Sequence, residues 1–184
     1  AAFTDAETVR KLHGCIQLPV GHKYLGKETF GIGLSTNKPD KKRAARHSGA
    51  GEHTVPVPLI VLGDYAAAHN VSHIDILSID TEGSDALVLQ GGMHLLRNEV
   101  RYVEFEYHAI GPWRHITLRS VTSSLEHLGF VCYWLGQQKL WRITGCWHPR
   151  YEDKEWSNVG CVHRSQQEWL AIMERIYNQT VPVT

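Results

Sequence analysis

The stretch Ile74-Asp-Ile-Leu-Ser-Ile-Asp-Thr-Glu-Gly-Ser-Asp85 constrains this chain more than any other. Ile74 to Ile79 is apolar apart from Asp75 and Ser78. That composition suits a strand covered on both faces, the mark of a parallel sheet packed between helices. The run ends in Asp80, Glu82, Gly83 and Asp85, at the strand's carboxyl end. Open α/β sheets bind ligands along that edge. Carboxylates crowded there repel one another and lose hydration unless a cation, a proton or a ligand donor answers them. A site is therefore expected, with helix capping as the plainer role for Asp85.

A second carboxylate group lies in Tyr102-Val-Glu-Phe-Glu-Tyr-His108. The period of two sends Glu104, Glu106 and His108 to one face, and Val103, Phe105 and Tyr107 to the other. If this strand neighbours 74–80 through a right-handed crossover, Glu106 and His108 emerge beside Asp80 and Glu82. A histidine among carboxylates is expected to have a raised pKa and to serve as a general base once shielded by substrate. For Glu104 a solvated strand face is an equally good account.

Around these two strands the chain reads as one α/β unit. Thr4-x-x-Glu7 and Gly14 bracket a helix over 5–13, followed by strands at 15–20 and 29–34, a polar loop over 35–52 and an extended, proline-bearing 54–58. Helices are expected over 61–69, 84–97 and 115–128, the last with Leu118, Val121, Leu125 and Leu128 on one stripe. Strands follow at 130–135, 140–144 and 158–163. A closing helix begins at Ser165-x-x-Glu168, its stripe being Trp169, Ile172, Met173, Ile176 and Tyr177. The expected class is a doubly wound α/β fold, its sheet mostly parallel with an antiparallel end.

Nineteen basic residues balance nineteen acidic ones among 184, so no net field draws nucleic acid or an anionic membrane. The basic run Lys38–His47 reads as a solvated loop. No stretch is long and apolar enough to span a bilayer. Cys15, Cys132, Cys146 and Cys161 show no paired spacing, so neither a zinc knuckle nor a disulfide framework is expected, and a reduced, cytoplasmic setting is the default. The glycosylation patterns Asn70-Val-Ser72 and Asn178-Gln-Thr180 carry meaning only outside such a setting.

The block Asp75-Ile-Leu-Ser-Ile-Asp80-Thr-Glu82-Gly83-Ser-Asp85-x-x-Val88-Leu89-x-Gly91 resembles the signature of FkbM-type methyltransferases, as does Val103-Glu-Phe-Glu106-Tyr107-His108. Val55-Pro-Val-Pro-Leu-Ile-Val-Leu62-x-Asp64-Tyr65, Leu128-Gly-Phe130-x-x-Tyr133 and Asn158-Val159 fit the same pattern. The resemblance covers roughly residues 53–163. It implies a Rossmann-like, seven-stranded methyltransferase fold, with 74–80 as strand four and 101–107 as strand five. It also implies O-methylation of a small-molecule hydroxyl by S-adenosylmethionine. On this carry-over Asp80, Thr81 and Gly83 contact the cofactor, while Asp80, Glu82, Glu106 and His108 form the catalytic group. Asp85 and Tyr107 would contact the acceptor; separately, the aromatic loop from Gly145 to Ser157 reads as a lid or acceptor pocket, with Trp147, His148 and Trp156 as its candidate contacts. No metal is required, although a variant has Asp80, Glu82 and Glu106 holding magnesium against the acceptor oxygen.

The glycine-rich turn and the ribose-binding acid of such folds do not appear in context. Gly31-Ile-Gly33 leads into a lysine-rich loop, and Gly49-Ala-Gly51 follows no strand. The expectation is a single domain over 1–184 incomplete at its N-terminus, with poor cofactor binding and self-association through an open sheet edge. Two other readings compete. One is a two-metal 3′–5′ exonuclease built on Asp80 and Glu82, with His148 and Asp153 at a matching spacing. The other is a partial or degenerate domain with an interaction role only.

Overall fold

The computed structural model describes residues 60–180. The expected helix at 5–13, strands at 15–20 and 29–34, loop at 35–52 and extended 54–58 lie outside the described residues. Within them the order is α1 (Leu62–Ala68), β1 (Ile74–Ile79), α2 (Asp85–Gly91), α3 (Met93–Asn98), β2 (Val100–Tyr107), α4 (Leu118–His127), β3 (Phe130–Gly136), β4 (Lys139–Arg142), β5 (Ser157–His163) and α5 (Gln167–Thr180). Short 3₁₀ turns occupy Gly111–Arg114 and Pro149–Glu152.

The strands form one sheet in the order β1-β2-β5-β3-β4. β1 and β2 run parallel, with Ile79 beside Phe105. Every other neighbouring pair is antiparallel. The mostly parallel sheet expected from the sequence is thus corrected: among the described residues the architecture is mixed α/β with a mostly antiparallel sheet. The cause is one insertion. β5 returns late in the chain and slides between β2 and β3, which run in the same direction on either side of it.

β1 also departs from expectation. It is the outer strand among those described, and Asp75, Ile76 and Ser78 are exposed. Ile74, Leu77 and Ile79 meet the main core. That core lies on the face bearing Val103, Phe105 and Tyr107, packed with Leu89, Leu96, Leu118, Leu125 and Trp113 from the covering helices and turn. The stripe expected on α4 holds, with Leu118, Leu125 and Leu128 buried. α5 covers the other face of β3, β4 and β5, where Tyr177, Trp169, Met173 and Ile176 pack on Val131, Tyr133, Leu140 and Val162. Ile172, expected in that stripe, is 45% exposed, and Leu170 packs instead.

The single helix expected over 84–97 is two helices meeting at Gly92. A Cβ on Gly92 would come within 2.9 Å of Leu62, and one on Gly63 within 2.9 Å of the Gly91 carbonyl. The small residues let α1, rather than the sheet, press onto this break.

The cysteines overturn the expectation of no disulfide. Cys132 and Cys161 face each other across the β3–β5 ladder, wholly buried in the main core, and are bonded. With 29 residues separating them, the cross-link removes about 3.5 kcal/mol of chain entropy from the unfolded state in the loop-closure account. Cys146 is disulfide-bonded as well. Among the described residues no helix is long and apolar enough to cross a membrane.

Candidate functional site

Parallel pairing of β1 with β2 sends both carboxyl ends the same way. Asp80 leaves β1, and His108 leaves β2, at that shared edge. The loop between β1 and α2 is tightly wound. Glu82 has φ of 52° and Gly83 φ of 109°, the left-handed region that side chains with a Cβ rarely adopt. Gly83 is required a second time by proximity, since a Cβ there would lie 2.7 Å from the Ile110 carbonyl oxygen. The two strand-end loops are therefore in backbone contact.

Asp85 holds the first loop closed. Its carboxylate is wholly buried and accepts the Thr81 and Gly83 amides at 3.4 and 3.3 Å. Burial raises its pKa, partly offset by these backbone bonds and by His108. These partners are loop amides that precede α2, and the N-cap position belongs to Ser84, so the helix-capping role considered for Asp85 is corrected. Asp80 and Thr81 are exposed at the rim, and Glu82 is half-buried.

On β2 the two-residue period holds: Ser78 Oγ donates to Glu104 at 2.9 Å, with Tyr102 adding a longer bond at 3.3 Å. Further along the same face, Glu106 accepts the Trp156 indole N–H at 3.1 Å. Burial raises the Glu106 pKa. The Trp156 bond opposes that rise, and the charges of Asp80, Asp85 and Glu82 reinforce it. Among the described residues no lysine or arginine pairs with this carboxylate group.

His108 is wholly buried and stacks on Trp156 with ring centroids 4.4 Å apart. Its Nδ1 accepts the Ile110 amide at 3.2 Å. In the neutral ring the proton then sits on Nε2, which has no hydrogen-bond partner and lies 3.7 Å from Glu106 Oε2. Burial drives the His108 pKa down, against the pull of Asp85, Glu82 and Asp80. The expected upward shift is corrected: loss of hydration outweighs the carboxylates. With its one lone pair engaged by Ile110, His108 faces the site as a donor.

Trp156 is the residue that sequence reasoning undervalued. It sits with φ of 75° on the approach to β5. Of the four described non-glycine residues with positive φ, Glu82 and Trp156 both border this site. Backbone strain concentrates where function over-determines it. Its signal in the sequence was membership of the aromatic loop it shares with Trp147 and Tyr151, which suggested an acceptor contact but no bond to Glu106 or His108.

The remaining expected residues lie elsewhere. Tyr107 points to the opposite face, fully buried, and donates to Glu152 at 2.6 Å. Glu152 also accepts the Leu118 and Arg119 amides that open α4. Trp147 packs against that same core under the Arg119 guanidinium. His148 accepts the Arg150 amide and meets Tyr151 edge-on. His148 and Asp153 flank the 3₁₀ turn on the Tyr107 side of the sheet, so the exonuclease pairing with Asp80 and Glu82 gains no support from the geometry. Among the described residues no group of three or more histidine, cysteine or acidic side chains is placed to hold a metal ion.

Comparison with known proteins speaks to the family. No curated protein and no solved structure matches the chain. The pattern of the family described as the methyltransferase FkbM domain matches residues 11–132. That span starts well before the blocks that carry the resemblance and stops within β3, leaving Trp156 outside it. Since it takes in more than half of the 184 residues, the chain belongs to the FkbM methyltransferase domain family.

Proposed function

We propose that this chain transfers a methyl group from S-adenosylmethionine to the hydroxyl oxygen of a small molecule, within a Rossmann-like methyltransferase fold. The observation that supports it most is the Glu106–Trp156–His108 unit beside Asp80 and Glu82. S-adenosylmethionine, when bound, supplies an electrophilic methyl group on a cationic sulfur. A group of four carboxylates with no described lysine or arginine paired to it suits a cation, and Asp80, Thr81 and Gly83 would hold it.

The chain's own residues divide the remaining work. His108 Nε2–H, buried and unpartnered, donates to the acceptor oxygen and fixes its lone pair. Glu106, its pKa raised above the ordinary carboxylate range, takes the hydroxyl proton as the oxygen gains its methyl group. Trp156 keeps Glu106 ionised through its indole N–H and walls His108 from water. Glu106, rather than the imidazole, is the base because its lone pairs are the ones left facing the site.

The test is methyl transfer from labelled cofactor to a panel of sugars, lipid head groups and small alcohols. Glu106→Gln should lower turnover by roughly 10²–10⁴-fold with cofactor affinity unchanged. A loss under tenfold would remove Glu106 from the base role. Transfer to no hydroxyl compound, with label appearing on nitrogen or carbon instead, would overturn the acceptor class.

A further inference from the structure

The oxidised cysteines have a consequence for where this chain matures and what it carries. None of the described cysteines is free. Cys132 and Cys161 are bonded in the centre of the core, at facing positions of a regular ladder. Cys146, outside that ladder, is bonded too. Bonds of this kind form and persist in oxidising compartments and are rare where thiol buffers keep cysteine reduced. In such a compartment Asn-x-Ser/Thr patterns become acceptors for N-linked sugar.

The two patterns are not equivalent. Asn70 is exposed in the turn that ends α1, at φ of 52°. Neither Asn70 nor Ser72 makes a side-chain hydrogen bond among the described residues, and both are exposed. Asn178 instead lies within α5, and its partner hydroxyl on Thr180 accepts the Leu140 amide at 2.9 Å and donates to the Ile176 carbonyl. A glycan on Asn178 would stand beside the helix face that seals β4. One on Asn70 would stand clear of the proposed reaction centre. Asn70 precedes β1 and Asp80 follows it, so the strand, at ~3.3 Å per residue, holds them about 20 Å apart.

We propose that the chain matures in an oxidising compartment and that Asn70 is an N-glycosylation site. In the oxidation, the thiols of Cys132 and Cys161 lose two protons and two electrons to the disulfide of an oxidoreductase, which leaves as a dithiol. In the transfer, the Asn70 side-chain nitrogen forms a bond to the anomeric carbon of an oligosaccharide. The bond from that carbon to a lipid diphosphate breaks, and the nitrogen loses a proton to the enzyme's base. The inference stands apart from the methyl-transfer reading, since neither step uses the Asp80–His108 group.

The experiment uses the protein as its own cells make it. Unreduced, denatured protein is alkylated, then treated with a glycan-removing amidase in heavy-oxygen water, and its peptides are weighed. Cys132 and Cys161 should resist alkylation until reductant is added, and the Asn70 peptide should return as aspartate bearing heavy oxygen. In cells expressing Ser72→Ala, which keeps the left-handed asparagine, that conversion should vanish while the cysteines stay protected. Alkylation of Cys132 or Cys161 without reductant would overturn the compartment. An unmodified Asn70, or conversion at Asn178 alone, would overturn the site.

Discussion

Gly83 and Gly145 form a matched pair in which backbone strain can be separated from crowding. Both have positive φ, 109° and 74°. A Cβ on Gly145 meets nothing among the described residues within 4 Å. One on Gly83 meets the Ile110 carbonyl oxygen and carbon at 2.7 and 2.9 Å, backbone atoms with no rotamer to escape into. Gly145→Ala should therefore cost the left-handed penalty, about 1–2 kcal/mol, without a clash against any described residue. Gly83→Ala adds a forced backbone shift of about 1–3 kcal/mol. At ~2–4 °C per kcal/mol for a chain this size, the first should melt about 5 °C below the parent and the second roughly 10 °C below it. Thermal unfolding followed by circular dichroism reads both. Because the Ile110 amide donates to His108, Gly83→Ala should also depress methyl transfer below the melting point, whereas Gly145→Ala should not. Equal melting losses, or an unaltered turnover in Gly83→Ala, would show that the two strand-end loops are not pressed together as described.

His108→Asn keeps an acceptor for the Ile110 amide and removes the titration. The parent's His108 pKa is depressed below 6.5, so its unfolded chain binds a proton first and stability falls as pH drops below that value; urea unfolding between neutral and mildly acidic pH should show this slope in the parent and not in the variant. Trp156→Phe deletes the bond that holds the Glu106 pKa down, so the acid limb of turnover against pH should move to higher pH; a shift the other way would contradict the assignment. Glu152→Ala frees the Tyr107 hydroxyl and two α4 amides at once and should cost about 3 kcal/mol in urea unfolding. Combined with Tyr107→Phe, the two losses should fall short of additive; strict additivity would deny the contact.

The residues that were legible in sequence are those governed by local period. Alternation along β2 placed Glu104, Glu106 and His108 on one face and Tyr107 on the other, and the crossover rule put Asp80 beside them. The apolar stripe of α4 was equally plain. Pairing between distant segments was not. The position of β5 decides which sheet face Trp156 joins, and Trp156 lies 50 residues from the Glu106 it binds. The His108 shift was misjudged for the same reason, because its burial comes from a ring that local patterning cannot bring near. Cys132 and Cys161 each look solitary in their own strands and meet only through register. Ile76, apolar in the sequence, is 60% exposed, since a strand's burial depends on which neighbours it acquires.

The late arrival of β5 also decides how this protein can be dissected. A fragment cut where the family pattern ends, at residue 132, would keep the acidic tips but forfeit the strand that closes β2. Glu106 would lose its indole, Cys132 its partner, and a row of unpaired amides would face water. Anyone trimming the gene to its recognised boundary should expect an aggregating product with a dismantled reaction centre, and should carry the expression boundary past α5 instead.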